Sequence, residues 1–161
     1  MRGNTVAPEL SAADILELGV QIEKNGLEFF QTIAEKLSRS KAQYLFVYLS
    51  QEEERHAVQF ERMKRMFLSG DNATIQHADL VPLMAHQHVF AEKNAGKKLA
   101  RRIRNEKDAL EAGMQFEEQS ITYFEAMKTY VPTSQHYIIN AIIQEEQTHY
   151  AKLADMKVGY K

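Results

Sequence analysis

Hydrophobic residues recur at helical spacing along four long stretches of this chain. Steps of alternately three and four residues trace, in each stretch, a stripe of positions on one side of a helix, here called the core stripe. Capping and helix-breaking residues bound the four helices at about 11–38, 41–69, 106–130 and 134–157. The segment 71–105 is less regular, and a connection of that length fits a crossing from one end of a molecule to the other. The pattern predicts an all-α bundle of two helical hairpins joined by a long crossover.

The second half of the chain repeats the first. The segment GVQIEKNGLEFF at 19–30 matches GMQFEEQSITYF at 113–124, and LSQEEERH at 49–56 matches IIQEEQTH at 142–149. The two pairs are offset by 94 and 93 residues. Such self-similarity indicates that the hairpins are copies of one unit, so the bundle should have approximate two-fold symmetry.

Composition narrows the chemistry that such a bundle could carry. The 161 residues favour a single domain over 1–161, and the absence of cysteine excludes disulfides, thiolate zinc sites, iron–sulfur clusters and thiol nucleophiles. A formal net charge of −2 favours neither nucleic acid nor an anionic membrane as a partner. Because the chain has neither a signal-peptide pattern nor an apolar run of membrane-spanning length, we expect it in the cytoplasm.

The core stripes are apolar except in their middles, where they carry carboxylates and imidazoles. Four buried carboxylates cannot all be ionised without compensating cations, and no Lys or Arg lies on any stripe. Two divalent metal ions would balance four glutamates and leave both histidines neutral, as metal ligands must be. The sequence therefore favours a dinuclear metal site over a metal-free polar core. Its candidate ligands are Glu23, Glu53, His56, Glu117, Glu146 and His149.

Several neighbouring residues have a second interpretation. The acidic residues off the stripes, which are Glu52, Glu54, Glu118 and Glu145, are interpreted as a solvated helix surface. The small stripe residues, which are Gly19, Gly26, Gly113 and Ser120, could leave space for an exogenous ligand or let the helices approach closely, and we slightly favour space. The basic run KKLARRIR at 97–104 is interpreted as a solvated face rather than an anion or partner patch.

Two helices thus carry one glutamate each, and the other two carry one Glu-x-x-His pair each. This layout resembles that of the ferritin-like di-iron carboxylate proteins, most closely their rubrerythrin-like branch. The resemblance implies that Glu53 and Glu146 bridge or cap the metal pair. His56 and His149 would bind one metal each, and Glu23 and Glu117 would complete the ligand shells. It also implies two iron ions, with manganese and zinc as alternatives, and no catalytic residue beyond the ligands.

By the same resemblance, the chain would be a homodimeric oxidoreductase that reduces hydrogen peroxide or dioxygen while ferrous iron is oxidised, in defence against oxidative stress. Two departures qualify this. Classical rubrerythrins carry a cysteine-bound rubredoxin domain, so here a separate protein or other reductant would have to donate electrons. Ser120 stands where they have an extra glutamate, which counts against a peroxidase cycle built on ligand exchange. The alternatives are an iron-storage protein, a di-iron hydroxylase of an organic substrate and a metal-free interaction bundle.

Overall fold

The computed structural model describes residues 10–68, 74–75 and 92–160 of the chain. Its elements in order are β1 (Leu10–Ser11), α1 (Ala12–Lys36), α2 (Gln43–Leu68), β2 (Thr74–Ile75), α3 (Ala95–Arg102), α4 (Glu106–Met127) and α5 (His136–Val158). Short 3-10 turns at Lys128–Tyr130 and Thr133–Gln135 separate α4 from α5.

The four long helices form the predicted all-α bundle. Helix α1 packs along α2, and α4 packs along α5, so each half of the chain is a helical hairpin. The hairpins meet where α1 contacts α4 and where α2 contacts α5. Strands β1 and β2, of two residues each, pair antiparallel beside the start of α1. None of the helices among the described residues combines the length and the hydrophobicity that a membrane span requires.

The helix ends follow local capping chemistry. The Ser11 hydroxyl accepts a hydrogen bond from the backbone N–H of Asp14 at 3.2 Å, and the Asp14 carboxylate accepts one from the Ser11 N–H at 2.7 Å. This reciprocal capping box fixes the start of α1. Asn105 likewise caps α4 through the N–H of Asp108. The loop between α1 and α2 is longer than predicted, because residues 37–42 form turns and Arg39 has a left-handed backbone with φ 73°.

The crossover contains a helix that the sequence pattern did not delimit. Much of the predicted crossover 71–105 lies outside the described residues, but α3 occupies Ala95–Arg102 and packs on α1. The buried side chain of Asn25 donates to the Glu92 carbonyl at 3.0 Å and accepts from the Gly96 N–H at 3.3 Å. At the other end, the Lys36 ammonium donates to the carbonyls of Ala100, Arg101 and Ile103. The crossover is thereby fixed to α1 at both ends of α3.

The basic run 97–104 lies mostly on the exposed side of α3. Lys97, Lys98, Arg101 and Arg102 are exposed, whereas Ala100 is fully buried. A strongly amphipathic short helix of this kind keeps its apolar side on the bundle and its charges in solvent.

We predict that Gly96→Ala weakens the docking of α3. A Cβ at position 96 would lie 1.8 Å from the carbonyl oxygen of Asn25, and neither backbone can move without breaking the Asn25 hydrogen bonds. The free energy of unfolding in urea should fall by about 1–3 kcal/mol. Lys97→Ala, at an exposed position of the same helix, should change it by less than about 0.5 kcal/mol. Equal stability of the two variants would contradict the docking.

Candidate metal centre

The bundle brings all six predicted ligands into one buried layer. Glu23 comes from α1, Glu53 and His56 from α2, Glu117 from α4, and Glu146 and His149 from α5. Each side chain is no more than 1% exposed. The spacing of three residues within each Glu-x-x-His pair places the carboxylate and the imidazole on the same face of the helix, about one turn apart.

The six side chains form two overlapping groups. One group consists of Glu23, Glu53, His56 and Glu146, and the other of Glu53, Glu117, Glu146 and His149. In each group, one possible ligand atom per residue lies within 4.8 Å of all the others. Glu53 and Glu146 belong to both groups, which is the position of a carboxylate that bridges two metal ions. The arrangement is compatible with a binuclear metal site.

Both histidines point the same ring nitrogen at the carboxylates. The Nδ1 atom of His56 lies 2.8 Å from Glu146 and 3.6 Å from Glu23. The Nδ1 atom of His149 lies 3.1 Å from Glu146, and 3.7 and 3.8 Å from Glu117 and Glu53. Nδ1 is therefore the nitrogen available to a metal in each half, and Nε2 points away from the centre.

The hydrogen-bonding capacity of this layer is left largely unused by the protein. Among the described residues, seven of the eight carboxylate oxygens of the four glutamates make no hydrogen bond of good geometry, and neither does Nδ1 of His56, although it lies 2.8 Å from Glu146. Buried polar atoms are normally paired, and an orphaned carboxylate is costly. Oxygen-rich ligands with two imidazoles suit iron, manganese or zinc, so the donor set fits two divalent metal ions.

The pKa values of the side chains in this layer are shifted both by burial and by the neighbouring charges. Burial raises the pKa of Glu53 and Glu117 well above the ordinary 4.5, and the neighbouring carboxylates raise both further. Burial alone would lower the pKa of His56, but the contacts with Glu146 and Glu23 outweigh it and raise that pKa to about 11. Burial would raise the pKa of Glu146, yet His149 and His56 lower it to about 2. Without metal, protons must neutralise this layer.

A second layer of polar residues lies behind the imidazoles, and the sequence interpretation missed it. The Nε2 atom of His56 lies 2.6 Å from a carboxylate oxygen of Glu145, and Nε2 of His149 lies 4.0 Å from Glu52. Arg55 pairs with both acids, at 2.8 Å from Glu145 and in a closer contact with Glu52. Glu52 and Glu145 are therefore not merely a solvated helix surface, as we had interpreted them.

The role of Glu145 follows from the direction of its hydrogen bond with His56. A carboxylate that accepts from Nε2–H fixes the tautomer in which Nδ1 carries the lone pair, which is the form a metal requires. These two acids could have been found in the sequence by their position, because each directly precedes the glutamate of a Glu-x-x-His pair. Glu52 precedes Glu53 in EEERH, and Glu145 precedes Glu146 in QEEQTH. Glu54 and Glu118, the other two acids off the stripes, are exposed.

The glycine beside Glu23 does not leave open space. A Cβ at Gly26 would lie 2.5 Å from an oxygen of Glu53 and 2.7 Å from the ring of Phe116. Gly26 therefore lets a ligand carboxylate and an aromatic ring approach the backbone of α1, and our preference for ligand space was wrong at this position. Its counterpart Ser120 is buried, and its hydroxyl has no hydrogen-bond partner among the described residues.

Aromatic layers close the centre along the bundle axis. Phe30 packs against Phe46 and Phe116 with ring centroids 6.3 and 5.9 Å apart, and Phe60 packs against Phe124 at 4.9 Å. All five rings are fully buried. They keep bulk water from the carboxylates, which strengthens every electrostatic interaction in the layer.

We predict that the metal-free protein loses stability as pH rises from about 5 to 9. In this range Glu53 and Glu117, with raised pKa values, and His56, with a pKa of about 11, hold protons that the unfolded chain has released. Glu146 acts oppositely, but only between its ordinary pKa of 4.5 and about 2. Bound metal replaces those protons, so urea titrations with EDTA and with zinc should diverge as pH rises. Parallel pH profiles would contradict the charge assignment.

We also predict that Glu145→Gln weakens metal binding by about 10–100-fold while the helical circular dichroism stays unchanged. The amide accepts a weaker hydrogen bond from His56 than the carboxylate does. Glu54→Gln, a change of the same kind at an exposed position of α2, is the control and should bind metal like the parent. Competition with a chromophoric chelator measures both affinities. Equal affinities would show that Glu145 does not support His56.

Comparison with known proteins places the chain in a family. A family model described as rubrerythrin matches residues 14–157. A crystal structure from Thermotoga maritima, of a protein provisionally titled a ferritin-like diiron-carboxylate protein, superposes with a TM-score of 0.71 and 20% identity, over 96% of this chain and 99% of that one. At that identity the likeness shows the ferritin-like fold alone. No curated protein matches the chain. Because the family model covers residues 14–157, which include all six predicted ligands, the chain belongs to the rubrerythrin family.

Proposed function

We propose that the protein is a non-haem di-iron oxidoreductase of rubrerythrin type that reduces hydrogen peroxide or dioxygen as ferrous iron is oxidised. The observation that carries the proposal is the pair of overlapping Glu/His groups that share Glu53 and Glu146. When bound, two ferrous ions supply two electrons, which with two protons convert one hydrogen peroxide into two waters.

The protein's own residues prepare the site for this chemistry. Glu53 and Glu146 would hold the two ions close together, while His56 and His149 would each bind one ion through Nδ1. Glu145 holds the His56 imidazole in place from outside the ligand layer, and Glu52 lies 4.0 Å from the outer ring nitrogen of His149. The phenylalanine layers exclude water, so the reacting oxidant would have little competition from solvent.

The source of electrons is a separate part of the proposal. The chain contains no cysteine, so it has no iron–sulfur or thiol centre of its own to re-reduce the iron. We propose that a separate protein or small reductant supplies two electrons per turnover. Ser120 cannot act as an exchangeable carboxylate ligand, so the cycle would keep the same four glutamates in both redox states.

The test is the anaerobic oxidation of the ferrous-loaded protein, followed by stopped-flow absorbance of ferric iron. We expect one peroxide to oxidise both ferrous ions of a chain, at least about tenfold faster than the same iron in buffer. Dioxygen in place of peroxide separates the peroxidase from the ferroxidase form of the proposal. Glu117→Gln should abolish the fast phase, and the neighbouring exposed Glu118→Gln should retain it.

Two outcomes would contradict the proposed function. Oxidation no faster than that of free ferrous iron would remove the oxidoreductase role. Retention of hundreds of ferric ions by a multi-subunit shell, seen by mass measurement of the assembly, would replace it with iron storage. The oxidoreductase proposal predicts a homodimer that holds only its own di-iron centres.

A further inference from the structure

One arginine contacts both of the acids that lie behind the imidazoles. The Arg55 guanidinium lies 2.8 Å from Glu145, across the interface between α2 and α5, and in a closer contact with Glu52 on its own helix. Its side chain is exposed, so the contact lies outside the buried ligand layer. Both acids contact the same guanidinium nitrogen, so their negative charges are close together and the cation offsets the repulsion between them.

The hydrogen-bond network behind the imidazole is complete in one half of the centre. Arg55 and the Nε2–H of His56 both donate to the same carboxylate oxygen of Glu145, at 2.8 and 2.6 Å. The His56 ring is fully buried, with Glu145 on its outer side and Glu146 2.8 Å from Nδ1 on its inner side. The network of Arg55, Glu145 and His56 therefore fixes the ring with Nδ1 directed at one metal position.

In the other half the corresponding hydrogen bond is missing. The repeat matches Glu52 with Glu145, and His149 with His56. Nε2 of His149 lies 4.0 Å from Glu52, which is beyond hydrogen-bond distance. The Tyr48 ring packs against the His149 ring with centroids 5.8 Å apart, but this contact supplies no carboxylate to accept from Nε2–H. The two imidazoles are thus held to different degrees.

The repeat also shows which residue differs between the two networks. The offset of 93 residues pairs Arg55 with Thr148. The Thr148 hydroxyl donates to the carbonyl of Gln144 on its own helix at 3.0 Å, so this side chain is turned back to α5. Thr148 follows Glu145 by three residues, as Arg55 follows Glu52. The two hairpins therefore share their ligands and their outer acids, and differ in the cation that contacts those acids.

We propose that the two metal positions are inequivalent, that the position on His56 fills first, and that Arg55 sets this order by holding Glu145 on His56. A carboxylate behind a ligand histidine is typically worth about 10–100-fold in metal affinity, and one half has this contact while the other lacks it. Arg55 is a positioning residue, since it acts on the imidazole through Glu145. The inference rests on the dinuclear centre of the proposed function, but not on its redox chemistry.

The test uses zinc, which is redox-silent, and metal-free protein. At one equivalent of zinc, NMR spectra of the histidine ring nitrogens should show metal-bound His56 while His149 is still free. Titration in competition with a chelator should then give a first constant at least about tenfold tighter than the second. Filling of His149 first, or of both together, would overturn the order and leave the peroxide test of the proposed function unaffected. Absence of zinc binding would overturn both.

The repeat provides a variant that should reverse the order. Arg55→Thr combined with Thr148→Arg exchanges two exposed side chains and moves the guanidinium to α5. By the pseudo-symmetry of the hairpins, it would then hold Glu52 towards His149 as Arg55 holds Glu145 towards His56. At one equivalent of zinc, His149 should become the first histidine to bind. An unchanged order in this variant, at unchanged helical circular dichroism, would show that the arginine does not set it.

Single variants decide the matter if the exchange disturbs folding. Arg55→Gln should reduce the preference for His56 by at least about threefold, because Glu145 loses a charge-assisted hydrogen bond. Arg55→Lys keeps a cation at this position and should restore most of the preference. Glu52→Gln removes a charge from the same surface and should change either zinc constant by less than about threefold. Equal effects of Arg55→Gln and Glu52→Gln would contradict a role for Arg55 through Glu145.

Discussion

Burial of four carboxylates in one layer is the constraint on which the rest of the structure depends. The cost of removing each from water is several kcal/mol when it is unpaired, and the layer contains two imidazoles but no Lys or Arg to offset it. Several neighbouring residues shape and support this layer. Gly26 lets Glu53 and Phe116 approach α1, the phenylalanines keep water out, and Glu145 orients His56. A metal-free bundle of this length would be more stable with apolar residues at the same positions.

The repeat explains both the symmetry of the centre and where that symmetry ends. Each hairpin supplies one lone glutamate and one Glu-x-x-His pair, and each of the two candidate groups combines side chains from both hairpins. The ligands are identical in the two copies, whereas the residues around them have diverged. The repeat matches Ser120 with Gly26, and Ala141 with Tyr48. Because the residues around the matched glutamates and histidines differ, the two halves of the centre could have different roles.

Much of this architecture could be predicted from the sequence, and the reasons for the misses are physical. The core stripes depend only on helical periodicity within one element, so the four helices and the six polar stripe residues were predictable. Glu145 and Glu52 lie one residue before a ligand, about 100° around the helix, and their partners lie on the opposite helix of the α2–α5 pair. Periodicity within one helix contains no information about such a neighbour. Helix α3 was not predicted because eight residues are too few to show a clear helical periodicity. Its position depends on Asn25 and Lys36 of α1.

The central claim is that the buried layer is a dinuclear metal centre. The most direct measurement is a crystal structure of protein purified from an iron-replete host, with anomalous diffraction recorded on both sides of the iron absorption edge. We predict two anomalous peaks per chain, one within bonding distance of His56 Nδ1 and one within bonding distance of His149 Nδ1, with Glu53 and Glu146 between them. A layer that contains no anomalous peak, with its carboxylate oxygens paired to ordered water or to one another, would contradict the claim.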